Sequence, residues 1–197
     1  MKELSLNLLD IAENSVKAGA TFVKMELTET EELLTMVVAD NGCGMSEEMV
    51  KRVTDPFCTT RTTRKVGLGI PLLKLAAEQT GGTVIITSRP RDAFPDTHGT
   101  EVTATFFRRH IDCTPLGDTV ATVKTLIQGN PQIDFLFLHR TEQGEVSLDT
   151  RQIREILGEE IPLCSYEIMK WIDGCLREQY EGLSEDHNHI INHSTSK

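Results

Sequence analysis

Basic charge is scarce in this chain: 20 Lys and Arg stand against 30 Asp and Glu, a formal net charge of −10. That balance disfavours nucleic acid as a partner, because its phosphates require a basic surface. Long apolar runs are missing as well. No stretch approaches the roughly 18 apolar residues of a membrane span, and the opening Met1-Lys2-Glu3-Leu4-Ser5-Leu6 lacks the apolar core of a signal peptide. A cytoplasmic protein with no membrane association is expected. Cysteine pairing is absent: Cys43, Cys58, Cys113, Cys164 and Cys175 are scattered, odd in number, and form no Cys-x-x-Cys. A disulfide framework, a zinc knuckle and an iron–sulfur ligand set are all disfavoured, which leaves reduced thiols.

What is present is enough for one full domain and a small appendage: 197 residues with 39% hydrophobic content. The charge is unevenly placed. Residues 1–110 hold 13 basic and 15 acidic residues, whereas residues 111–197 hold 7 and 15. The acidity lies in the C-terminal part, which suggests two regions with different jobs.

Periodicity predicts a helix over residues 2–18 on Leu4, Leu8, Leu9, Ile11, Ala12 and Val16, ended by Gly19. Two strands, 21–28 and 33–39, form a hairpin about Glu29-Thr30-Glu31-Glu32. A short helix begins after Ser46, and 55–66 is a loop. A second helix spans 68–79, followed by strands at 83–88 and 102–107. The natural packing is helices on one face of a mixed sheet, a two-layer α+β sandwich. Residues 111–181 are expected to form a small acidic α/β extension, with helices at 118–128, 149–157 and 165–180 and strands at 133–138 and 146–148. Residues 182–197 are expected to be a disordered tail.

Two glycine-bearing segments, Asp40-Asn41-Gly42-Cys43-Gly44-Met45 and Gly67-Leu68-Gly69-Ile70, stand downstream of Asn14 on the first helix. Each alone is weak: Asp-Asn-Gly is a common hairpin turn, and a lone Gly-x-Gly proves little. The ordered set carries the parts of an ATP site. An acid can reach an adenine amine, glycines let backbone approach a nucleotide, an amide can hold Mg2+, and a glycine turn opens a helix whose N-terminus can face phosphate. Thr59, Thr60, Arg61, Arg64 and Lys65 crowd the loop before Gly67, as suits a lid over a triphosphate. Asp10 lies one helical turn before Asn14, so the two side chains share a face. Glu13 points about 100 degrees away from Asn14 on the helix wheel.

Residues 5–107 resemble the Bergerat-fold ATPases, the superfamily of gyrase, Hsp90, histidine kinases and MutL. Asn14-Ser15-Val16-Lys17-Ala18-Gly19-Ala20-Thr21 is similar to the MutL-type N box. Asp55-Pro56-Phe57-Cys58-Thr59-Thr60-Arg61 and Val66-Gly67-Leu68-Gly69-Ile70 look like the histidine-kinase lid and its following glycines. The resemblance implies that Asn14 holds Mg2+, that Asp40 accepts from the adenine amine, and that Gly42 and Gly44 pass close to the base. It also implies that Thr59, Thr60, Arg61, Lys65, Gly67, Leu68 and Gly69 surround the phosphates and that Thr100 lies near the adenine. Hydrolysing relatives commonly carry Glu where this chain has Asp10, one methylene shorter; Asp10 is the candidate base.

Four functions compete on this reading. A histidine-kinase-like module would pass the γ-phosphoryl group to a protein partner; no helical hairpin with a phospho-acceptor His precedes Asn14, so the acceptor is expected in trans, or the module is expected to phosphorylate a serine or threonine, as the anti-sigma-factor kinases of the resembling superfamily do. A gyrase- or MutL-type slow ATPase switch needs a lysine from a second domain, and residues 111–197 offer only Lys124, Lys170 and Lys197. An ATP sensor would use bound nucleotide to order its lid and present a surface; the shorter Asp10 favours it. A structural protein that has lost ATP is disfavoured by the intact Asn14, Asp40, Gly42, Gly44, Gly67 and Gly69. The acidic C-terminal region suits a basic protein surface, and the resemblance admits a homodimer.

Overall fold

The structure is a computed structural model that describes residues 3–54, 68–158 and 161–194, with side chains through Leu183. Its first helix, α1 (Leu4–Lys17), buries Leu4, Leu8, Ile11, Ala12 and Ser15 on one face, the spacing of a 3.6-residue repeat. It stops where Gly19 takes φ +73, a conformation that costs other residues. Strands β1 (Phe22–Glu29) and β2 (Leu33–Asp40) follow as an antiparallel hairpin with Met25 opposite Val38. The short α2 (Glu47–Val53) is capped by Ser46, whose hydroxyl accepts from the Met49 amide. Then come α3 (Gly69–Gln79), β3 (Val84–Arg89) and β4 (Gly99–Phe107).

The remainder is α4 (Thr119–Gly129), β5 (Asp134–Thr141), β6 (Gly144–Asp149), α5 (Thr150–Leu157) and α6 (Tyr166–Ser194). Asp118 caps α4 by accepting from the Ala121 amide at 2.8 Å, and Asp149 caps α5 by accepting from the Arg151 amide at 3.0 Å. From residue 182, where the sequence suggests a disordered tail, α6 runs on to Ser194. Extending a nucleated helix adds one hydrogen bond per residue fixed, so no separate nucleation is needed there.

The six strands among the described residues join one mixed sheet in the order β3-β4-β2-β1-β5-β6. Only the β1–β5 pair is parallel, running from Phe22 opposite Asp134 to Thr28 opposite Arg140; every other pair is antiparallel. The C-terminal strands therefore extend the N-terminal sheet instead of forming one of their own. One face of the sheet carries Val23, Met25, Leu34, Met36, Val38, Ala104, Phe106, Phe135 and Phe137, all buried. Onto it pack α1 and α3, with α4 beside α1 and α6 beside α4 and β6. The two-layer α+β sandwich expected from the sequence is the fold observed.

The β6 edge is covered. The Ser147 amide donates to Gln179 Oε1 at 2.9 Å and its carbonyl accepts from Gln179 Nε2 at 3.1 Å, so one side chain of α6 replaces a neighbouring strand.

Candidate nucleotide site

Helix α1 presents Asp10 and Asn14 toward α3, which opens at Gly69. A Cβ on Gly69 would stand 3.1 Å from Asp10 Cβ and 3.5 Å from Asn14 Nδ2. The missing side chain lets the first turn of α3 close on both residues. Glu13 is turned away and pairs with Lys17 at 3.7 Å, so Asp10 is the α1 carboxylate on the Asn14 face.

At the C-terminal end of β2, Asp40 is held on both oxygens. Ser15 Oγ donates to Oδ2 at 2.6 Å and the Gly42 amide donates to Oδ1 at 2.8 Å. A carboxylate has about four acceptor positions, so capacity remains for an incoming donor. The turn after Asp40 is fixed from below. Asn41 Oδ1 accepts from the Thr21 and Phe22 amides, both at 2.9 Å, and the Cys43 amide donates to the Ala18 carbonyl at 2.9 Å. Gly44 has φ +66, and a Cβ there would fall 2.0 Å from the Arg89 carbonyl oxygen. No other residue fits.

Thr100 stands opposite Asp40 in the β2–β4 register. Its hydroxyl lies 2.8 Å from Ser88 Oγ, which also accepts from the Met45 amide at 2.7 Å and donates to the Gly99 carbonyl at 3.1 Å. Asn14 lies beside Gly69 and is followed in α1 by Ser15, which binds Asp40; Asp40 in turn holds the Gly42 amide and stands opposite Thr100, and Gly44 follows in the same turn. Six of the sequence-predicted site residues gather with Asp10 at one end of the sheet. Leu68 precedes α3 with its side chain largely exposed. Thr59, Thr60, Arg61, Lys65 and Gly67 lie outside the described residues.

Ser88 and His98 are additions that sequence reasoning missed; His98 Nδ1 lies 2.6 Å from the Gly42 carbonyl oxygen. Neither had a signal, since each contacts the turn from more than 40 residues away. Ser15 and Asn41 stood within the quoted motifs, but their roles follow only from the geometry.

Mg2+ takes oxygen ligands and is usually held by one or two protein groups together with waters and phosphates. The Asn14 carboxamide offers an oxygen of that kind on the α1 face that meets Gly69, where Asn14 Nδ2 is 3.5 Å from the position a Gly69 Cβ would take. No group of three His, Cys, Asp or Glu suited to a dedicated metal cage occurs among the described residues.

This arrangement is that of a nucleotide-binding α+β sandwich. The family model described as "Histidine kinase-, DNA gyrase B-, and HSP90-like ATPase" matches residues 2–110, and the chain belongs to that family. Over 90 residues it is 31% identical to sporulation kinase A of Bacillus subtilis, covering 46% of this chain and 14% of that protein. Over 103 residues it is 30% identical to the tetrathionate sensor histidine kinase TtrS of Salmonella typhimurium, covering 52% of this chain and 17% of that one. The chain thus spans only a small part of these curated relatives. Its fold is similar to the Aquifex aeolicus MutL ATPase domain complexed with ADP, with TM-score 0.50 and 17% identity over 80% of this chain and 69% of that one. It is also similar to the N-terminal domain of a DNA repair protein, with TM-score 0.52 and 16% identity over 76% and 52% of the two chains. No helix among the described residues is long and apolar enough to cross a membrane.

Proposed function

We propose that the chain binds Mg-ATP at the Asn14–Asp40–Gly69 end of the sheet and uses it to phosphorylate or regulate a protein partner. The observation that carries this reading is the convergence of α1, the β2 turn and the start of α3, which places an amide, an oriented carboxylate and a glycine-opened helix N-terminus side by side. Asp40, fixed by Ser15 and Gly42, accepts from the adenine amine and disfavours guanine, whose carbonyl would leave the acid unpaired. Asn14 holds the metal, which when bound neutralises charge on the phosphates. The α3 amides face the phosphates. Asp10 stays on the phosphate side of α1, where it can orient or deprotonate an acceptor within hydrogen-bond reach.

A nucleotide sensor is the second reading, and the outward Glu13–Lys17 pair supports it: the longer carboxylate is not available, so only the shorter Asp10 serves as base. A gyrase- or MutL-type switch is less well supported, because Lys124, one of the three lysines in residues 111–197, is already engaged with Asp173 at 2.7 Å.

The test uses γ-labelled ATP with Mg2+ and the purified chain, with Asn14→Ala as the control. Label on the protein, lost in the variant, would establish phosphotransfer within the chain or a homodimer. Free phosphate alone would define an ATPase, with Asp10 the base to replace next. Bound ATP with neither product would point to a sensor or to a kinase awaiting its acceptor. Unchanged Mg-dependent affinity in Asn14→Ala would remove Asn14 from the metal role.

A further inference from the structure

The connection between β3 and β4, residues 90–98, backs the nucleotide turn along its length. The Gly42 carbonyl lies against His98 Nδ1 at 2.6 Å. The Cys43 carbonyl accepts from the Arg91 amide at 2.9 Å. Gly44 packs on the Arg89 carbonyl, and the Met45 amide donates to Ser88 Oγ. Most of these ties use backbone or a strand hydroxyl. His98 is the side chain of the 90–98 connection that reaches the turn.

Its partner fixes its proton. A carbonyl oxygen can only accept, so Nδ1 of His98 must carry hydrogen, and in the neutral ring Nε2 is then the bare nitrogen. The peptide it grips is held at both ends: His98 takes the Gly42 carbonyl and Ala18 takes the Cys43 amide. A planar peptide fixed at both ends has no freedom to rotate. Gly42, which would otherwise be the softest residue of the turn, is locked with its own amide on Asp40 Oδ1. Asp40 is consequently aimed by two supports, Ser15 on one oxygen and the Gly42 amide on the other.

We propose that His98 is a positioning residue for adenine recognition: its Nδ1–H holds the Gly42–Cys43 peptide, and through it the orientation of the Asp40 carboxylate. The inference rests on the ATP reading of the site. His98 touches no nucleotide atom on this account; it sets the angle at which Asp40 meets the base.

The test uses the full chain in three forms: wild type, His98→Leu and His98→Asn. Asn places its amide nitrogen near the position of imidazole Nδ1 and can donate the same bond; Leu cannot. Affinities for Mg-ATP and Mg-GTP are measured by titration calorimetry. His98→Leu is expected to lower the ATP-to-GTP affinity ratio about tenfold, the scale of one misaligned hydrogen bond to a charged group. His98→Asn is expected to restore most of it. A purely structural histidine would change thermal stability and leave that ratio unmoved, which would overturn the proposal. Nitrogen-15 NMR of the nucleotide-free wild type gives a separate readout: the Nδ1–H tautomer is expected, and an Nε2–H tautomer overturns the assignment without reference to ATP. A wild type that binds neither nucleotide sinks the ATP reading and this inference with it. ATP binding with an unchanged ratio in His98→Leu sinks only the role of His98.

Discussion

At the scale of single residues, Gly44 and Asp40 show what is readable in a sequence and what is not. Gly-x-Gly after an acid signals a tight turn, and the structure requires glycine at 44 for two independent reasons: its positive φ, and the Arg89 carbonyl where a Cβ would go. Gly44→Ala is therefore expected to cost about 2 kcal/mol or more of stability and to impair ATP binding, as read by chemical denaturation and calorimetry. Retention of both would mean that the turn relaxes at little cost. Asp40→Asn should weaken adenine selectivity, because the amide nitrogen cannot accept; an unchanged ATP-to-GTP ratio in that variant would free Asp40 from the adenine role. The partners of these residues were not legible. Ser88 is an ordinary polar residue on an edge strand, and only the antiparallel pairing of β3 with β4 brings it to Thr100 and Met45. Asn7 is a different case. It is 2% exposed, and its Nδ2 has no hydrogen-bond partner among the described residues. A dry, unpaired amide costs about 1–3 kcal/mol, so Asn7→Leu, close in size, is expected to raise stability by an amount within that range. Loss of stability would show that Asn7 has a bound partner, such as a buried water.

At the scale of elements, a polar network at the far end of the sheet joins pieces distant in sequence. His139 on β5, 3% exposed, sits between Glu29 on β1 and Tyr180 on α6. A carboxylate only accepts, so His139 Nε2 donates to Glu29 at 3.1 Å. In the neutral ring Nδ1 then accepts from the Tyr180 hydroxyl at 2.7 Å, and Tyr180 oxygen lies 2.9 Å from Thr119 at the start of α4. Arg108 pairs with the other Glu29 oxygen at 2.6 Å. The His139 hydrogen bond, helped by Arg108, holds the Glu29 carboxyl below its ordinary 4.5 despite the opposing effect of burial. Burial pushes the Tyr180 phenol up to about 12, so it stays a neutral donor across the working range. A depressed carboxylate pKa contributes stability that is present above the unfolded value and lost as pH falls through the folded one. Unfolding free energy should accordingly decline as pH drops below about 4.5, and Glu29→Gln should flatten that decline. A variant as acid-sensitive as the wild type would assign the loss to other carboxylates. The apolar run at residues 133–138 marks β5 as a strand, but nothing in the spacing tells that the histidine following that run faces a tyrosine 41 residues later.

At the scale of the whole molecule, alternation of apolar residues identifies strands without giving their order. The hairpin of β1 and β2 is local and was readable from Phe22, Val23, Met25 and Leu27. The parallel pairing of β1 with β5 spans more than 100 residues and was not, although the run Phe135-Leu136-Phe137-Leu138 suits a strand buried inside a sheet. That pairing makes β1 a central strand. Val120, Val123, Leu126 and Ile127 of α4 are buried as well, on a helix packed beside α1. Cutting the chain after His110 would expose the β1 edge, the flank of α1 that α4 covers, and Arg108 and Glu29 without His139. Each buried aliphatic side chain lost from such an interface is worth about 1.5–3 kcal/mol, which exceeds the margin of a small domain once several are removed. Residues 1–110 alone are therefore expected to unfold at least about 10 °C below the full chain or to fail to fold cooperatively, as followed by circular dichroism and calorimetry. Equal unfolding temperatures would show that the family-matched segment is autonomous and that β5 and β6 merely dock on a finished sheet. If instead the short form melts early yet binds ATP when cold, the C-terminal strands act on stability, and a partner that grips α4 or α6 would reach the nucleotide through the shared sheet and through α1.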